Sequence, residues 1–220
     1  MSDFFSFWRD LYLRPRIFFE NNFGPGKPGN RYFYFALFVF GTGAGIDRLD
    51  RQLTQHHLKG TLDQAGSINN WIGYWSIAIL AGTLGGYISY LIGGWFYNVR
   101  VKWCKGDDDV DLSRSLFLYS GVVHASVIVL IAFITMFFQA HPYEPESPFG
   151  VLDACVLLLS VFITYYSVYV SFAGVTTVTN ANWTRAVIWF MVLPAIFYTI
   201  MYITVIAIVY NYFLGNSFAD

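Results

Sequence analysis

The run from Ile72 to Val99 carries no charged residue, and it is long enough to cross the hydrocarbon core of a bilayer with some tilt. No other feature constrains the chain as much, because backbone groups in lipid must be satisfied inside a helix or a closed barrel. Gly82, Gly86, Ser89 and Gly93 recur within the run, and at roughly 100° per residue they share one narrow helical stripe. Lipid tails are as apolar as leucine, so helices there associate by close backbone approach, which small residues permit. Trp71, Tyr74 and Trp75 mark one end of the run and Trp95, Tyr97 and Trp103 the other, where amphipathic rings favour the headgroups. Arg100, Lys102 and Lys105 follow as a basic flank, expected on the cytoplasmic side.

Further apolar runs assign the chain to a class. Of its 220 residues 56 % are hydrophobic and only 12 % charged, well outside the soluble norm. None of the runs alternates as the strands of a membrane barrel do. The expectation is an all-α polytopic membrane protein, a bundle of five transmembrane helices with spans at about 32–46, 72–98, 115–139, 149–175 and 186–213. These spans make up a membrane domain at 31–214, preceded by an N-terminal interfacial amphipathic segment and linker at 1–30. A net charge of −1 gives no reason to expect nucleic acid. Cys104 lies on a basic loop and Cys155 inside a later span, so no disulfide framework is implied. The first residues lack the features of a cleaved signal and are expected to be retained.

Phe4, Trp8, Leu11 and Pro15 share one helical face of the N-terminal segment. Pro15 disfavours a helical Arg14 and should break the segment in two. Its apolar length suits a helix lying in the interface, or one packed on the cytoplasmic ends of the spans. A Gly/Pro linker, 24–29, follows. The first span is short and contains Gly41, Gly43 and Gly45, whose spacing fits helix packing better than a nucleotide loop.

Residues 47–70 read as a polar loop or cap, with His56 and His57 adjacent and no cysteine near them, so no metal site is expected. The run Asp107, Asp108, Asp109 lacks the glycine and terminal glutamate of a calcium loop. Asp111 or Ser113 is expected to cap the next helix, and Asn180 or Asn182 the last. Neither cofactor nor metal is expected.

The third span carries one ionisable residue, His124, a turn from Ser120, and a histidine at membrane depth is a functional candidate. In the fourth span Ser160, Thr164, Ser167 and Ser171 repeat the spacing of the glycine stripe. The two stripes are therefore expected to pack the second and fourth spans together. In the fifth span Pro194 should kink the helix unless a neighbour recovers the freed carbonyl, and Tyr198 and Tyr202 offer hydroxyls to neighbouring helices. With five spans, Lys and Arg number ten on the side of the N-terminus against three on the other. That bias puts the N-terminus in the cytoplasm and the C-terminus outside.

The segment Asp10-Leu11-Tyr12-Leu13-Arg14-Pro15, the segment Ser115-Leu116-Phe117-Leu118-Tyr119-Ser120 and the tail Trp183-Thr184-Arg185-Ala186 with its later Pro194 resemble the Yip family. These are five-span membrane proteins named for interaction with Ypt/Rab GTPases, and the likeness is greatest to the shorter bacterial members. His124 stands where proline is usual in that family. The resemblance implies a five-helix bundle with a cytosolic N-terminus. The resemblance does not extend to the long cytosolic N-terminal region of eukaryotic members, so a Rab-binding role is not expected to carry over. An integral protein of the bacterial inner membrane follows, with the lipid bilayer and a membrane-protein partner or a second copy as its contacts. The expected function is that of a non-enzymatic membrane-organising or partner-binding scaffold. The alternative is a small transporter or channel with His124 and the Ser160/Thr164/Ser167 stripe lining a polar path. A hydrolase using Ser120 and His124 lacks a visible oxyanion hole.

Overall fold

A computed structural model describes residues 2–24, 31–144 and 151–215. Within them all regular structure is helical: α1 Ser2–Leu13, α2 Pro15–Phe23, α3 Phe33–Leu58, α4 Trp71–Trp103, α5 Val110–Thr135, α6 Val151–Val178, α7 Trp183–Val187 and α8 Leu193–Gly215. A 3₁₀ segment, Leu62–Asn69, links α3 to α4, and a π turn, Ile188–Val192, joins α7 to α8. Most of the Gly/Pro linker lies outside the described residues.

Four helical stretches are long and apolar enough to cross a membrane, not five: Trp71–Trp103, Val110–Thr135, Ala154–Val178 and Trp183–Thr204. The expected first span is the difference. Its apolar head does not end in a loop at residue 47 but runs on through Asp47, Arg48, Asp50 and Arg51 in one helix to Leu58. Apolar periodicity with Ile46, Leu49 and Leu53 carries the helix through the charged stretch, and these three side chains are buried. α3 nonetheless lies along α4 in antiparallel sense, since Phe33 meets the Tyr90 ring and Asp50 meets Tyr74.

The α3–α4 seam is where the small residues act. A Cβ on Gly82 would stand 2.6 Å from the Gly41 carbonyl oxygen, and one on Gly45 2.7 Å from the Ala78 carbonyl oxygen. The two backbones are too close for any larger side chain. Gly82 and Gly86 thus face α3 rather than the serine stripe of α6, while Gly93 faces the Phe117 ring of α5 and Ser89 is exposed. The expected pairing of the second and fourth spans through those stripes is not what forms. Two clusters of glycine, one in the apolar head of α3 and one in α4, match each other instead.

α1 and α2 meet at Pro15, which occupies the first turn of α2 where its missing N–H costs nothing. The pair packs on the bundle: Leu11, Phe18 and Phe19 are fully buried, and Phe7, Phe18 and Phe23 ring Tyr119 of α5. Tyr12 shares a hydrogen bond with Ser126 of α5, and Tyr166 of α6 donates to the Tyr12 carbonyl. Outward, the pair leaves Phe5, Leu13 and Ile17 exposed.

Candidate functional site at the basic end of the bundle

Two loops, 104–109 and 179–182, meet at the end of the bundle where α4 finishes and α5 and α7 begin. The acidic run ties them together. The Asp107 N–H donates to the Thr179 carbonyl at 2.8 Å, and Asn180 Nδ2 donates to Asp107 Oδ2 at 2.8 Å. Asp108 accepts from Asn98 Nδ2 at 2.8 Å and pairs with Lys102 Nζ at 2.9 Å, while Ser113 Oγ donates to Asn98 Oδ1 at 2.9 Å. The hydrogen bonds from Lys102 and Asn98 hold the Asp108 carboxyl below the usual carboxylate range. Asp109, not Asp111 or Ser113, caps α5 by accepting from the backbone N–H groups of Asp111 and Leu112. Asn182 caps α7, accepting from Arg185 N at 3.2 Å. Cys104 is buried beneath these loops, and burial pushes its thiol pKa up.

Arg100, one turn before the end of α4, stands beside this clamp. Its guanidinium carbon lies 4.2 Å over the Phe190 ring and 5.8 Å from the Tyr97 ring. One nitrogen, Nη2, donates to the Trp189 carbonyl. That carbonyl is free for a definite reason. In the π turn the N–H of Leu193 bonds to the carbonyl of Ile188, so the next partner in this register is residue 194, a proline without an N–H. The proline therefore creates the acceptor, and the arginine of another helix takes it. Trp103 and Trp189 pack against each other at 4.5 Å between ring centroids.

The rest of the guanidinium borders open space. A cavity of about 160 Å³ lies between Arg100, Ser120, Ser167, Ser171 and Tyr198, and an adjoining one of about 330 Å³ opens past Leu193, Pro194 and Phe197. No carboxylate pairs with Arg100 among the described residues. Tyr97 Oη shares a hydrogen bond of 2.9 Å with Ser171 Oγ, closing one wall.

The residues singled out from the sequence fall in different places. Ser120 is buried, and its hydroxyl donates to the carbonyls of Leu116 at 2.7 Å and Phe117 at 3.1 Å. It is spent on its own helix and makes no pair with His124. Thr164 donates to the Ser160 carbonyl at 2.8 Å and meets Tyr202 Oη at 2.9 Å, while Ser167 donates to the Thr164 carbonyl. Ser167, Ser171, Ser120 and Tyr198 of the sequence candidates gather at the Arg100 cavity. His56 pairs with Thr61, and the His57 ring lies tilted against Tyr143. Among the described residues no group of His, Cys, Asp and Glu is placed to hold a metal ion.

Sequence reasoning read Arg100 only as part of a basic flank. Its signal was a cation within a turn of the span end, with no acid three or four residues away on its helix. Asp50 was also missed: Tyr74 Oη donates to its carboxylate at 2.6 Å, joining the charged half of α3 to α4. Desolvation of this carboxyl against α4, with the Asp47 charge adding to it, pushes the Asp50 pKa up to about 6.

A bundle of long apolar helices with a cluster of basic residues at one end is an integral membrane protein of the polytopic α-helical class. The chain belongs to the Yip family: the Yip1 domain model matches residues 9–217. No curated protein and no solved structure matches the chain.

Proposed function

We propose that this protein is a non-enzymatic scaffold of the inner membrane, binding a membrane-protein partner or a second copy at its basic, cytoplasmic end. The observation that carries this reading is the packing of α1 and α2 on α5 and α6, with Phe19 of α2 beside Leu116 and Gly174 toward that end and Tyr12 bonded to Ser126 and Tyr166. Leu11, Phe18 and Phe19 anchor the pair, while Phe5, Leu13 and Ile17 stay exposed among Arg9, Arg14 and Arg16. A rigidly held amphipathic pair with an uncovered apolar face is suited to contact with the interface and with another chain. The basic residues Arg100, Lys102, Lys105, Arg114 and Arg185 lie at the end toward which α2 runs, with Phe19 beside Leu116 and Gly174, which supports a cytoplasmic N-terminus.

The transport alternative draws less support. Of the hydroxyls expected to line its path, Thr164 bonds to the Ser160 carbonyl and meets Tyr202, and Ser167 bonds to the Thr164 carbonyl. The test of the scaffold reading is affinity purification in mild detergent of the wild type and of a Phe5→Asp, Leu13→Asp double variant. Both residues are exposed, so the fold should keep its melting temperature. Loss of the co-purifying membrane proteins from the double variant supports the reading, and an unchanged set refutes it.

A further inference from the structure

We infer that the Arg100 cavity is a binding site for the phosphate group of an anionic membrane lipid. The inference is independent of the scaffold reading and rests on four features. The first is charge. Arg100 has its cationic head turned between α4 and the π turn, with one hydrogen bond to a carbonyl and no carboxylate partner among the described residues. Carbonyl and ring contacts orient a guanidinium without neutralising it, and a phosphate satisfies its remaining donors in the planar geometry that suits arginine.

The second feature is space. The inner cavity of about 160 Å³ has room for several waters or one phosphate, and serine and tyrosine hydroxyls line it beside the guanidinium. The third is depth. Trp103 and Trp189 line the outer cavity beside Arg100, which borders both cavities, and such rings sit where lipid headgroups lie.

The fourth is the shape of the exit. The outer cavity opens between Leu193 and Phe197, which are 42 % and 65 % exposed on the lipid-facing side of α8. A soluble anion gains nothing from that apolar channel, whereas an acyl chain lies along it. Together, the inner cavity takes the phosphate and the outer one the first part of a chain. The π turn ahead of Pro194 sets both, because it turns the Trp189 carbonyl toward Arg100.

The test uses the full-length protein purified in detergent, with lipid binding followed by native mass spectrometry. Phosphatidylglycerol, phosphatidylcholine and inorganic phosphate are the three probes. The expected result is retention of phosphatidylglycerol under activation that strips phosphatidylcholine. Arg100→Gln should weaken phosphatidylglycerol binding at least tenfold, and Arg100→Lys by less. Leu193→Trp fills the outer channel, leaves the guanidinium in place, and should also weaken it tenfold. Should Arg100→Gln fail to fold, Leu193→Trp decides alone. Wild-type affinity in either folded variant overturns the inference. So does inorganic phosphate that competes for Arg100 as well as the lipid does, since the chain would then contribute nothing.

Discussion

Gly41 and Gly82 meet backbone to backbone, so closely that a Cβ on Gly82 would stand 2.6 Å from the Gly41 carbonyl oxygen. The contact is the centre of the α3–α4 seam. Close approach of this kind is how helices associate where apolar burial gives no drive, through dispersion and alignment of backbone surfaces.

Gly82→Leu should therefore force α3 and α4 apart and cost about 3 kcal/mol, the upper part of the range for overpacking. Gly85 is the control: a Cβ there meets nothing within 4 Å, so Gly85→Leu should be neutral. Thermal unfolding in detergent reads both, and equal melting temperatures for the two variants would refute the seam as a structural contact.

The charged half of α3 predicts a pH response. The Asp50 carboxyl has a pKa of about 6 in the folded chain against about 4 when unfolded. Between these values the folded state binds the proton more tightly, so this group makes stability fall as pH rises from about 4 to about 6. Above that window the ionised carboxylate keeps its penalty, with Asp47 as the like charge and Tyr74 Oη as the compensating donor. Asp50→Asn should raise the melting temperature at pH 7.5 and flatten this part of the profile.

Asp108 acts with the opposite sign. Its pKa is depressed by the bonds from Lys102 and Asn98, so its contribution is present above the unfolded value and is lost as pH falls through the folded one. Asp108→Asn should weaken the tie between Lys102 and the loop, and it should remove part of the acid-induced loss seen in the wild type. A melting-temperature profile from pH 3 to 8 separates the two aspartates, because their variants bend it in opposite directions.

The end of α5 offers a simpler measurement. Asp109 satisfies two N–H groups of the first turn, and Asp109→Ala should cost about 1 kcal/mol, as loss of a helix cap does. Ser120→Ala should cost less than about 0.5 kcal/mol because its hydroxyl bonds only to carbonyls that its own helix already uses.

The proposed orientation is open to chemical labelling. Cys104 is buried and should resist a thiol reagent in the folded protein, so it is not itself a reporter. In a Cys104→Ala, Cys155→Ala background, Lys105→Cys should react with an impermeant maleimide only from the cytoplasmic side. Ala140→Cys, exposed at the other end, should react only from outside. The reverse pattern refutes the orientation.

The all-α membrane class is legible in the sequence because long uncharged runs report directly on lipid exposure. The partner of each stripe is not. The glycines of α4 and the serines of α6 share a period, but period says nothing about which face a helix turns to which neighbour. The glycines of α3 were visible as packing residues and are the ones that dock. The fate of α3 was misjudged for a related reason: four charges look like a loop, whereas Ile46, Leu49 and Leu53 hold the same residues in a helix against α4. At the candidate site, Ser167, Ser171, Ser120 and Tyr198 were singled out one by one. Arg100 joins them only through a π turn, and a change of hydrogen-bond register leaves no mark in sequence beyond the proline that follows it.

The mixed character of α3 also bears on how the chain enters its membrane. A lone α3 would bring Asp47, Arg48, Asp50 and Arg51 to the bilayer surface directly behind its apolar head. With α4 alongside, Tyr74 donates to the Asp50 carboxylate and the two glycine faces close. The pair is therefore expected to enter the membrane as a hairpin, with α3 settling once α4 lies beside it.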